Sequence, residues 1–163
     1  MNASGTDTGA PHIRRALARD AKRLTRLVRT SRAYEGHWAP MVEGYRVGPD
    51  YVESHRVFVA VAGTEGPVLG FYSLVLDPGG RRGLGELDLM FVSDTAQGHG
   101  VGRRLVEHLR EEAARAGLDA VRVVAHPPAE GFYRRVGAER TGTVAATPPY
   151  VMWDRPELML PIV

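Results

Sequence analysis

Cysteine is absent from this 163-residue sequence. Its absence excludes disulfides, cysteine-based metal sites and a thiol nucleophile of the kind that carries acyl-enzyme intermediates. Lysine is nearly absent too: Lys22 stands alone, and the net charge of +2 is carried by arginines interleaved with acids, as in Arg103, Arg110, Glu111, Glu112 and Arg115. That is the pattern of a solvated helix face, and no nucleic-acid partner is expected. No run approaches the eighteen or so consecutive apolar residues of a membrane span, so no membrane association is expected. The opening MNASGTDTGAPH lacks the charged-then-apolar order of a signal peptide, which makes the cytoplasm the expected location. His99 and His126 have no partner pattern for metal, and no metal site is expected.

What is present suits one domain. Hydrophobic residues make up 44% of the chain, ordinary for a globular protein. Residues 1–11 read as a flexible tail and 12–163 as a single domain. His12–Ala16 can form a short strand, and Arg19–Arg32 carries Ala21, Leu24, Leu27 and Val28 at helical spacing. Ala33–Tyr51 is irregular, with Tyr34, His37, Trp38 and Tyr45 scattered among Gly and Pro. Strands are expected at Arg56–Ala62, Val68–Leu76 and Glu86–Val92, the second bearing Tyr72 and closed by the turn signal Asp77-Pro78-Gly79-Gly80. Val101–Ala116 reads as a helix, Ala120–Ala125 as a buried strand and Ala129–Val136 as a short helix. The tail Val144–Val163 adds one or two strands, including Glu157–Ile162. The fold class expected is mixed α/β, with an antiparallel sheet where the meander lies.

The centre of the sequence is Gln97-Gly98-His99-Gly100-Val101-Gly102, between a strand and a helix. Glycines there let the backbone approach a ligand and take positive φ, while free N–H groups at a helix start favour phosphate. Arg103 and Arg104 follow directly and suit phosphate oxygens. No Gly-Lys-Ser/Thr follows, so this is not a P-loop, and the third glycine of a dinucleotide fingerprint is replaced by Arg103.

The loop resembles the signature of the GNAT superfamily of acetyltransferases, Gln/Arg-x-x-Gly-x-Gly/Ala, matched by Gln97, Gly100 and Gly102. A second stretch, Ala129 to Ala138 with Phe132-Tyr133, looks like that family's Ala-x-x-Phe-Tyr segment. Asp94 stands where the family usually has proline, His126 where asparagine is common and Ala138 where phenylalanine is usual. The resemblance implies a central mixed, mostly antiparallel sheet flanked by helices, with a splayed strand pair holding acetyl-CoA. It implies an N-acetyltransferase acting on a small-molecule amine or peptide by direct transfer in a ternary complex, and a possible homodimer. The other reading of the same fold is a non-catalytic acyl-CoA-binding sensor or interaction domain.

By the same resemblance, Phe91, Val92, Gln97, Gly98, His99, Gly100, Val101, Gly102, Arg103, Arg104, His126, Ala129 and Phe132 bind the cofactor. A backbone N–H near Phe91 or Val92 meets the developing oxyanion, and Tyr133 protonates the departing thiolate. Glu86, eleven residues before Gln97, holds the position of the family's general base, yet pairs as readily with an arginine. Asp88 is the reserve candidate. Tyr34, His37, Trp38, Tyr45, Tyr72 and Asp88 are the weaker candidates for the acceptor pocket.

Overall fold

The computed structural model describes residues 11–64 and 66–163. Of the expected tail, residues 1–11, all but Pro11 lie outside the described residues.

The elements run β1 (His12–Arg15), α1 (Ala21–Arg29), α2 (Pro49–Ser54), β2 (Arg56–Val61), β3 (Val68–Leu76), β4 (Leu84–Val92), α3 (Val101–Arg115), β5 (Ala120–Val124), α4 (Glu130–Arg135), β6 (Glu139–Val144) and β7 (Arg155–Pro161). One seven-stranded sheet has the order β1-β2-β3-β4-β5-β7-β6. Only β4 and β5 run parallel, joined through α3; every other neighbouring pair is antiparallel. This is the mixed, mostly antiparallel sheet flanked by helices that the sequence led us to expect.

Each face of the sheet carries its own core. Leu105, Val106, Leu109 and Ala113 repeat at helical spacing along α3 and pack with Tyr72, Leu74, Leu87, Val121, Val123, Leu158 and Leu160. On the other face, Leu24, Leu27 and Val28 of α1 and Val52 of α2 pack against Val57, Val59, Phe71 and Phe91. Burying each such side chain contributes about 1.5–3 kcal/mol.

A bulge divides β4 into two halves. Leu87 pairs with Leu74 and Leu89 with Ser73, which leaves Asp88 as the extra residue. Leu87 therefore faces the α3 side, whereas Leu89 and Phe91 face α1. Strict alternation would have put all three on one face. The parallel pairing with β5 ends at the same point, running only from Leu84↔Ala120 to Leu87↔Val123. Beyond it β4 and β5 diverge, and the wedge between them is the splayed strand pair.

Two elements differ from expectation. α2 lies partly within the segment read as irregular, and starts with Pro49 in its first turn, where the fixed φ of proline suits a helix. β6 was not foreseen because Glu139–Val144 is an exposed strand at the sheet edge whose residues are mostly polar. Tyr72 is corrected as well. It is fully buried on the α3 face and its hydroxyl lies 2.7 Å from His108 Nδ1, so it is a core residue with a satisfied polar tip rather than an acceptor contact.

Asp20 locks the N-terminal strand to the start of α1. Its nearly inaccessible carboxylate takes two hydrogen bonds from Arg14, at 2.8 and 3.0 Å, and one from the Leu17 N–H at 2.8 Å. The Arg14 hydrogen bonds hold its pKa below the ordinary value. A lowered folded-state pKa contributes stability that is present above the unfolded value near 3.9 and is lost as pH falls through the folded value. Asp20→Asn removes the carboxylate charge that Arg14 holds at 2.8 Å and is expected to cost about 3 kcal/mol at pH 7. Thermal melts should show this deficit shrinking below about pH 4, as the unfolded-state carboxylate takes up protons, and closing as pH falls through the lowered folded-state value.

Candidate active site

The wedge opens into a cavity of about 790 Å³. One wall is the glycine loop. Gly98 and Gly100 have φ of 78° and 79°, which an L side chain adopts only with strain. Gly102 answers a different need: a Cβ there would lie 3.1 Å from the Phe132 ring. Gln97 reaches back so that its Nε2 donates to the Val92 carbonyl at 3.1 Å, fixing the loop to the end of β4. Asp94 takes the Arg32 N–H at 3.1 Å and ties the loop to the segment after α1.

Within this loop the N–H groups of Gly98, Gly100, Val101, Gly102 and Arg103 find no backbone acceptor among the described residues. They gather at the start of α3, where the helix dipole is positive. Gln97, Gly98, Gly100, Val101, Gly102 and Arg103 all line the cavity, and Arg135 of α4 joins them. His99 and Arg104 do not. The His99 N–H donates to the Ala96 carbonyl at 3.3 Å, and Arg104 turns to solvent.

Strand alternation fixes a second set of donors. The Ser93 N–H donates to Leu69 of β3 at 2.8 Å, so Phe91, two residues earlier, also turns its N–H toward β3. Met90 and Val92 then direct theirs to the opposite edge, where β5 has departed. Of Phe91 and Val92, it is Val92 whose amide faces the wedge. The Phe91 side chain lines the cavity from the α1 face and stacks with Tyr34 at 5.5 Å.

The far wall is Pro128, Ala129, Phe132 and Tyr133. Tyr133 is buried, and burial pushes its hydroxyl pKa well above the ordinary value, so it keeps its proton. His126 also lines the cavity. Its Nε2 lies 2.8 Å from the Ala33 carbonyl, which can only accept, so that nitrogen carries the proton and Nδ1 is an acceptor without a partner among the described residues. Burial lowers its pKa, which favours the neutral ring.

The carboxylate of the cavity is Asp88, on the bulge. Its Oδ2 accepts from the Tyr51 hydroxyl of α2 in a very short hydrogen bond. Tyr51 has one proton to give, so the contact of 2.7 Å between Tyr51 and Ser73 is donated by Ser73, which in turn accepts from the Leu89 N–H at 3.0 Å. The chain from Leu89 through Ser73 and Tyr51 to Asp88 is fully directed, and every link points its proton toward the carboxylate. Glu86 is elsewhere. It does not line the cavity, and its carboxylate lies 3.6 Å from Arg122, which also holds Glu157 at 2.8 Å. Of the two roles open to Glu86, the ion pair is the one observed.

Among the aromatics, Tyr34 and Tyr45 line the cavity. Burial pushes Tyr34 up to about 12 and raises Tyr45 as well, so both are neutral hydroxyls. Arg29 fixes the segment bearing Tyr45 by donating to its carbonyl at 2.7 Å. His37 and Trp38 stand behind the wall: Trp38 packs edge-on to Trp153 at 4.6 Å and to His126 at 4.8 Å. Trp153, Arg155, Tyr51 and Ser73 were not singled out from sequence. The Trp-Asp-Arg run before the last strand was the available signal for the first two. Tyr51 and Ser73 are legible only once the bulge is known.

Among the described residues no group of three or more His, Asp or Glu side chains is placed to hold a metal, and no helix is long and apolar enough to cross a membrane.

Residues 53–137 match the acetyltransferase (GNAT) domain, more than half of the chain. The chain belongs to the GNAT acetyltransferase family. It is 44% identical over 61 residues to an IAA acetyltransferase from Azospirillum brasilense, a stretch covering 37% of this chain and 39% of that relative. An N-acetyltransferase from Staphylococcus aureus superposes with a TM-score of 0.73 at 16% identity, covering 95% of this chain and 100% of that one. The acetyltransferase yncA from Salmonella typhimurium, solved with its cofactor acetyl-CoA, gives 0.71 at 22% identity, covering 95% of each. At these identities the structural likeness speaks for the fold.

The loop geometry makes a direct prediction. Gly100→Glu forces a side chain into φ near +79° and brings a carboxylate to the amide cluster. Calorimetry should show coenzyme A affinity reduced at least about tenfold, the equivalent of 1.4 kcal/mol. Normal affinity would contradict the assignment of the loop to phosphate.

Proposed function

We propose that this protein is an N-acetyltransferase that moves an acetyl group from acetyl-CoA to a primary amine by direct transfer in a ternary complex. The observation that carries the reading is the content of one cavity: a cluster of unpartnered amides, a carboxylate held by a directed hydrogen-bond chain, and a tyrosine kept protonated by burial. The residues fit the cofactor. Amides 98 and 100–103, with Arg103 and Arg135, suit a diphosphate. Val92, Val101, Ala129 and Phe132 make an apolar wall for a pantetheine arm, and His126 Nδ1 can accept one of its amide protons. Acetyl-CoA supplies an activated thioester.

The chain's own groups account for the rest. An alkylammonium with a pKa near 10.4 has no lone pair to offer at pH 7. Asp88 takes its proton, directly or through a water. The Met90 and Val92 amides meet the negative charge that gathers on the acetyl oxygen. Tyr133 gives its proton to the sulfur. Across the reaction a C–N bond forms and a C–S bond breaks; the ammonium's first proton passes through Asp88 to solvent, and the second, lost from nitrogen after attack, balances the proton that Tyr133 gives to sulfur. With no cysteine in the chain, a covalent acyl-enzyme has no thiol to form on. Holding both substrates in register then supplies much of the rate.

A module that only binds acyl-CoA needs neither Asp88 nor a protonated Tyr133, and transfer to a panel of primary amines separates the two readings. Tyr133→Phe is expected to lower kcat at least about tenfold with little change in acetyl-CoA affinity. Unchanged turnover would remove Tyr133 from the mechanism. Asp88→Asn should lower kcat/KM about a hundredfold at neutral pH, with the deficit shrinking toward the pKa of the amine near 10 as the acceptor sheds its own proton. A pH-independent deficit would mean that Asp88 acts in some way other than as the base. Tyr51→Phe removes the donor that positions Asp88 and should lower kcat several-fold with KM largely unchanged.

A further inference from the structure

Arg155 opens β7 and lines the cavity, yet no ion pair or hydrogen bond of its side chain is found among the described residues, and its Nε is buried without an acceptor. A half-buried guanidinium in that state is unusual, since burying donors without acceptors is costly and arginine is best served by a planar, bidentate acceptor. The neighbouring acids are committed elsewhere. Asp154 accepts from the Ala146 N–H at 2.8 Å, and Glu157 is held by Arg122 at 2.8 Å. Trp153, two residues before it, also lines the cavity and has a buried indole N–H without a partner. The cavity lining therefore includes two donors that find no acceptor among the described residues.

These donors are not on the phosphate side. Leu158 and Leu160 of β7 point into the core beneath α3, and Arg155 shares the opposite face with Glu157. The phosphate-side cations, Arg103 and Arg135, belong to α3 and α4. Arg155 lines the same cavity as Tyr34 and Tyr133. Among the described residues Asp88 is the only acid lining the same cavity. The lining also offers aromatic and apolar surfaces: Tyr34, Tyr45, Met41, Val42 and Phe91.

We propose that the acceptor is a small zwitterion, an amine bearing a carboxylate close to the amino group and an apolar or aromatic body, with its carboxylate held by Arg155 and its ammonium group delivered to Asp88. The proposal rests on the transferase reading of this cavity and narrows its substrate class. It disfavours polyamines, which carry no anion for Arg155, and lysine side chains within proteins, whose amine is remote from any carboxylate.

The test compares free amino acids with apolar side chains, such as methionine, phenylalanine and tryptophan, against the amines obtained by removing their carboxyl group. The wild-type enzyme should favour the acids by at least about 100-fold in kcat/KM. In Arg155→Met that ratio should collapse to within a few-fold, mainly through KM of the acids, while Arg155→Lys should retain part of it. Thermal melts establish that each variant is folded. Calorimetry of the same acids on the coenzyme A complex reads carboxylate recognition without requiring transfer. Arg155-dependent binding of the acids without turnover would count against the transferase reading and leave the anion site standing. Transfer to the decarboxylated amines as good as to the acids, or an Arg155→Met ratio equal to wild type, would overturn the proposal.

Discussion

The site depends on one irregularity in one strand, the extra residue at Asp88. By adding a residue to β4 opposite a single step of β3, the chain does three things at once. It rotates the C-terminal half of the strand so that Leu89 and Phe91 exchange faces with Leu87. It brings a carboxylate to the cavity. It coincides with the end of pairing to β5, so the outer amides of Met90 and Val92 meet open space rather than a neighbouring strand. Unpaired strand edges are ordinarily covered or paired. Here the edge is left open inside a cavity, a place where a ligand can complete it.

The two ends of the cavity are built from different materials. The α3 side offers backbone amides and glycines, a surface that recognises a phosphate by geometry and dipole. The α1 side offers side chains: a directed hydrogen-bond chain ending at Asp88, three partly buried tyrosines that stay neutral, and a cation at Arg155 with no side-chain partner among the described residues. The first set follows from chain topology and is shared with the family. The second depends on which residues happen to be mounted on α2, β7 and the segment between α1 and α2, and it is there that the proposed acceptor site lies.

The boundaries of β3 and the start of α3 were legible because alternation and helical spacing are strong there and turn residues mark the ends. The glycine loop was legible for the same reason, although sequence does not distinguish Gly98 and Gly100, needed for positive φ, from Gly102, needed for the approach of Phe132. The bulge was not legible, since nothing in Leu-Asp-Leu-Met announces an extra residue. That is why Glu86 and Asp88 could not be separated: strict alternation puts both on one face, whereas in the fold one pairs with Arg122 and the other enters the cavity. Tyr72, a weaker acceptor candidate, is buried by its strand position and meets His108 instead. Trp153 and Arg155 lie far in sequence from every motif and reach the site only because β7 pairs with β5.

The central claim is that the free amides at the start of α3 and the outer amide of Val92 are where the cofactor lies. Backbone amide spectra recorded while coenzyme A is added test it most directly. The account predicts the largest shifts at Gly98, Gly100, Val101, Gly102, Arg103 and Val92, with smaller ones on β1 and β6. Shifts confined to other surfaces, with those six amides unmoved at saturation, would contradict it.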